Sequence, residues 1–77
     1  LFRALAMTTK PYYILFVYDT DTQTWIDEFG DYTKASLKTE IEYSHYNTKK
    51  KYIKIVKTTD DANAIKTAYK NLQKVIA

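Results

Sequence analysis

No cysteine occurs in this chain, and glycine, proline, histidine and arginine occur once each among its 77 residues. Each scarcity closes off a class of function. Without cysteine there is no disulfide framework and no thiolate metal site. His45 alone cannot supply a His-pair zinc site. One glycine, Gly30, cannot build a glycine-rich phosphate loop. Eleven of the twelve basic residues are lysine, so the forked, bidentate recognition of phosphates and bases that arginine provides is nearly unavailable. No apolar stretch approaches the roughly 20 residues that span a bilayer, and a soluble protein without a membrane partner is expected.

What the chain does have is a continuous apolar run, Tyr12-Tyr13-Ile14-Leu15-Phe16-Val17-Tyr18, between Pro11 and the turn-forming Asp19-Thr20-Asp21-Thr22. A strand with one face in water alternates polar and apolar residues, and this one does not. It needs cover on both faces. A chain of this size makes a single domain close to the limit at which one hydrophobic core suffices. With disulfides excluded, association with a second copy is the remaining stabiliser. Residues 1–10 read as an N-terminal extension, flexible or docked on a partner, with Met7 a natural start and Leu1–Ala6 an upstream addition or the cut end of a longer chain. Residues 11–77 form the domain.

The net charge of +3 conceals an asymmetry. Residues 1–31 hold Arg3 and Lys10 against five acids, a net of −3, whereas residues 32–77 hold ten lysines against four acids, a net of +6. Such a division suits docking between copies or an acidic partner.

After the turn, Thr24–Phe29 alternates well enough for a second strand. With Tyr18 opposite Trp25, Phe16 faces Asp27 and Ile14 faces Phe29. Asp31 or Thr33 then caps a helix over Thr33–Tyr46, whose thin apolar stripe is Leu37 and Ile41. Lys51–Lys57 reads as a third strand. Thr58-Thr59-Asp60-Asp61 starts a second helix, with hydroxyl caps followed by two acids at its positive end. That helix repeats apolar groups at Ala62, Ile65, Ala68/Tyr69, Leu72 and Val75/Ile76.

The layout is α+β, ββαβα, with a three-stranded, mainly antiparallel sheet. The most apolar strand belongs in the centre, giving the order 2-1-3, and both helices are expected on one face. The core on that side comprises Ile14, Phe16, Phe29, Leu37, Ile41, Ile53, Ile55, Ile65 and Leu72. The other face stays open, and Tyr13, Leu15, Val17, Ile26 and Val56 there form the expected self-association surface.

Candidate chemistry is sparse. Asp19–Gln23 begins like a calcium loop, but the required glycine and glutamate positions hold Thr24 and Gly30. Asp27 and Glu28 are neighbours on a strand and point to opposite faces, so they cannot act as a carboxylate pair. His45 has no nucleophile or carboxylate nominated to work with it. No catalytic residue, metal site or cofactor is expected. The strongest functional signal is the basic-aromatic stretch containing Tyr46, Lys49, Lys50, Lys51, Tyr52 and Lys54, in which lysines can neutralise phosphates and tyrosines can stack on single-stranded bases.

The run Trp25-Ile26-Asp27-Glu28-Phe29-Gly30-Asp31-Tyr32, between an apolar strand and a helix, resembles segments of small uncharacterised bacteriophage proteins. The resemblance implies a small accessory protein of the bacterial cytoplasm and assigns no activity. A non-enzymatic, self-associating interaction module, as a homodimer or higher homo-oligomer, is the leading functional expectation. Nucleic-acid binding through the basic-aromatic stretch is its rival.

Overall fold

The computed structural model describes residues 10–75. Strand β1, Pro11–Asp19, is followed by strand β2, Thr24–Asp31, helix α1, Lys34–Ser44, strand β3, Ile53–Thr59, and helix α2, Ala62–Leu72. A short 3-10 turn, Lys50–Tyr52, leads into β3. The ββαβα order is the expected one, and so is the antiparallel three-stranded sheet with β1 in the middle, β2-β1-β3. The expectation for residues 1–9 and for Ile76 lies outside the described residues. Lys10, expected in the extension, instead continues the ladder, where its carbonyl accepts the Asp60 N–H at 3.2 Å.

Local chemistry explains the boundaries. In the β1–β2 turn the Asp19 carboxylate accepts the Asp21 N–H at 2.9 Å, and the Asp19 carbonyl accepts the Gln23 N–H at 2.7 Å. Gln23 closes this turn at φ 59°, in the left-handed region that a side chain enters at a cost. The Thr33 hydroxyl caps α1 by accepting the Ser36 N–H, and the Asp61 carboxylate caps α2 by accepting the Ala64 N–H at 3.0 Å.

The helices do not share a face, contrary to expectation. Ile14, Phe16, Trp25 and Leu72 form one buried cluster, flanked by Tyr12, Tyr18, Val56 and Ile65. This side of the sheet lies under α2. Leu15 alternates with Ile14 and Phe16 and so points the other way, yet it is fully buried, as is Leu37 of α1. Helix α1 packs on β1 and β2 there, while α2 packs on β3 and β2. The reason lies in β1 itself. Leaving Leu15 in water would forfeit roughly 2 kcal/mol of burial, so each face takes one helix.

Further side assignments change, in β2 through a register shift and in β3 through its pairing with β1. Leu15 pairs with Phe29 and Phe16 with Asp27, so Glu28 is an extra residue, a bulge in β2. Tyr18↔Trp25 and Phe16↔Asp27 pair as expected, but Ile14 faces Gly30, and Phe29 moves to the α1 side beside Leu15. In β3, Val56 pairs with Ile14 and Ile55 with Leu15. Val56 therefore belongs under α2, and Ile53 and Ile55 to the α1 side, the reverse of the expected faces. A close approach explains the glycine at position 30. A Cβ there would stand 2.8 Å from Cζ of Tyr12, whose ring crosses the strand at that point.

The split core makes a stability prediction. Phe16→Ala and Leu72→Ala on one side, and Leu37→Ala on the other, should each remove about 3 kcal/mol in urea denaturation, because a small domain cannot close around the cavity. If Leu37→Ala costs less than about 1 kcal/mol while the other two cost the full amount, α1 does not form a second core.

Candidate interaction surface

The basic-aromatic stretch does assemble into a compact feature. The 3-10 turn lays the Tyr52 ring parallel to Tyr18, with centroids 5.9 Å apart and planes 14° apart. Tyr18 in turn meets Trp25 edge-on at 5.1 Å. Lys51 Nζ sits 5.1 Å from the centre of the Tyr52 ring, and Lys54 Nζ sits 5.6 Å from that of Trp25, both within cation–π range. Lys49, Lys50, Lys51 and Lys54 are exposed, and Tyr46 stands 75 % exposed before the turn. The geometry limits what the rings can do. Tyr52 already has Tyr18 against its ring and Lys51 over it, and Trp25 is buried, so within Tyr46–Lys54 Tyr46 is the ring left open for stacking.

The five residues expected on one self-association face are not together. Leu15 is buried on the α1 side, Tyr13 and Val17 are half-buried there, and Ile26 is exposed at 39 %. Val56 lies on the opposite side, half-buried next to the α2 cluster. What the sheet leaves open is its β3 margin. Helix α1 rests chiefly on β1 and β2, and the α1-side surface of β3, Ile53 and Ile55, is left half-buried. On the other side an open groove of about 660 Å³ runs between β3 and α2, lined by Val56, Ala64, Ala68, Leu72 and Val75 with polar Lys57, Asp61 and Asn71 among them. The sequence could not show this, because it depends on where the helices land across the sheet.

The two sheet margins differ sharply. At β2 the outer N–H and C=O of Trp25 are both taken by the Gln73 side-chain amide, at 3.0 Å and 2.8 Å, so that the carboxamide stands in for a neighbouring strand. The Trp25 indole N–H donates to the Val75 carbonyl at 2.8 Å. Together these three bonds tie the end of α2 to the β2 margin. Gln73 carries no sequence signal of this role, since it is polar and lies just beyond the helix.

The titratable groups are dispersed. Partial burial, and then the neighbouring Glu28 charge, raise the pKa of Asp27 above the usual carboxylate value. Hydrogen bonds from the Ser36 hydroxyl and the Tyr32 N–H lower that of Asp31. The Tyr32 hydroxyl donates to Asp60 at 3.3 Å, and desolvation followed by the Asp60 charge raises its pKa. His45 Nε2 lies 3.9 Å from a Glu28 carboxylate oxygen, which joins the end of α1 to the bulge. No group of three or more His, Asp or Glu residues able to hold a metal occurs among the described residues. No described helix is long and apolar enough to cross a membrane.

No protein-family model matches the chain, and no curated protein or solved structure shows significant similarity to it. None of these comparisons bears on the expected likeness of Trp25–Tyr32 to bacteriophage segments.

Asp27 supplies a pH prediction. A carboxyl whose pKa is raised by folding favours the folded state while protonated, and that contribution is lost as pH rises through the folded-state pKa. Asp27→Asn should therefore raise the melting temperature relative to the parent at pH 7, and the difference should vanish near pH 3. An equal difference at both pH values would show that the carboxylate charge is not responsible.

Proposed function

We propose that the chain is a non-enzymatic interaction module that associates with itself. The observation that carries this reading is the open β3 margin: a sheet edge with half-buried Ile53 and Ile55 on one side and an apolar groove on the other. Apolar side chains in that setting gain from a second surface, and the chain has no disulfide to offset a small core. The titratable side chains are spread over separate elements, which also supports binding over catalysis. Sedimentation equilibrium at micromolar concentration should give a mass of two chains or more. A monomer throughout that range would sink the proposal.

A second reading, contact with single-stranded nucleic acid, has one observation in its favour, the exposed lysines clustered on the 3-10 turn. Three or four phosphate contacts would give a log-log slope of affinity against salt of about −2 to −3 for a single strand. On this reading Lys50→Glu combined with Lys51→Glu abolishes binding to a labelled oligonucleotide, measured by fluorescence anisotropy, without changing the oligomeric state. Absence of binding at about 50 mM salt, where screening is weak, removes it.

A further inference from the structure

We propose that self-association occurs by antiparallel pairing of β3 with β3 of a second copy, about a two-fold axis at Val56, to give one continuous six-stranded sheet. The inference rests on the self-association reading and specifies its geometry.

The phase of the ladder decides which main-chain groups are available. Trp25 gives its N–H and C=O to Gln73 at the outer margin, so its pairing with Tyr18 is one without main-chain bonds. Tyr18, Phe16, Ile14 and Tyr12 therefore turn their main-chain groups toward β3, and the Lys10 carbonyl to Asp60 N–H bond continues that phase. Lys54, Val56 and Thr58, which pair with Phe16, Ile14 and Tyr12, are turned inward. Ile55 and Lys57 point their N–H and C=O groups outward, and among the described residues nothing accepts from or donates to them there. β2 has a bulge and the Gln73 cap to blunt its margin, and β3 has neither.

Self-pairing of this edge is compatible in charge. The register that uses all of Ile53–Thr59 places Ile55 opposite Lys57 of the second copy, with their outward groups facing, and Lys54 opposite Thr58. Val56 meets Val56 at the axis. No lysine opposes a lysine, whereas centring the axis on Lys54 or Lys57 would set like charges directly across the strands. Lys54 also carries its ammonium back over Trp25, away from the junction. The groove means that α2 stands back from the β3 edge, so a second strand can approach without meeting the helix.

The absence of native cysteine makes the test direct. At the axis the two Val56 Cα atoms would be about 4.5 Å apart, as in any antiparallel pair without main-chain bonds, within the separation of about 4.4–6.8 Å that a disulfide bridges. Under mild oxidation Val56→Cys should become a covalent dimer, whereas Ile55→Cys, opposite lysine, should not. In the unsubstituted protein, the Ile55 and Lys57 amides should exchange at least about tenfold more slowly at concentrations well above the dimer dissociation constant than well below it. That second measurement holds even if Val56→Cys does not fold. A dimer by sedimentation whose Ile55 and Lys57 amides stay unprotected, or in which Ile55→Cys cross-links in preference to Val56→Cys, overturns this pairing and leaves self-association standing. A monomer overturns both.

Discussion

A strand that is apolar from Tyr12 to Tyr18 comes out of water only if both of its faces are covered, and the architecture follows from meeting that demand with two short helices. Helix α1 shields Leu15 with Leu37, while α2 shields Ile14 and Phe16 with Ile65 and Leu72. Two thin cores separated by a sheet are a less efficient solution than one thick core, because each helix contributes a single stripe. What the fold gains is a completely buried centre in β1. What it gives up is cover at the periphery: α1 rests chiefly on β1 and β2, and α2 crosses the sheet but stands back from the outer side of β3.

The periphery is treated unequally. At β2, a bulge at Glu28, the Gln73 amide on the Trp25 main chain and the indole bond to Val75 combine to close the margin. These also anchor α2 diagonally across the sheet, which draws its far end toward β2 and opens the groove beside β3. The closed margin and the open one are thus two results of a single helix placement. Edge strands invite pairing unless something blunts them; β2 is closed by a bulge and a side-chain cap, whereas among the described residues β3 carries only the exposed Lys54 and Lys57.

Much of the fold is legible in short-range patterns. The unbroken apolar run marks β1 as central, the Asp-Thr turn marks the hairpin, Thr33 is one of two candidate caps for α1, and Thr58–Asp61 marks the start of α2, where the cap is the Asp61 carboxylate and not a threonine hydroxyl. The differences share a cause. A bulge leaves no periodic trace, so plain alternation puts Phe29 on the face of Ile14, and one extra residue sends it to the other. The strand starting at Ile53 instead of Lys51 reflects a 3-10 turn whose Lys-Lys-Tyr sequence has no distinctive signal. Composition alone finds the lysines and rings of Tyr46–Lys54, but whether the rings are free to stack depends on Tyr18 arriving from another strand.

By itself the sequence determined the element order, the central strand and the exclusion of disulfide and thiolate chemistry, because these follow from periodicity and residue type within one segment. Tertiary structure alone decided which face each helix covers, that Val56 and Leu15 lie on opposite sides, and that Gln73 closes one sheet margin while β3 keeps its own open. Those outcomes depend on contacts between residues far apart in the chain, such as Gln73 with Trp25 at a separation of 48. No local pattern encodes them, since a side-chain amide reads the same in sequence whether it faces water or completes a strand.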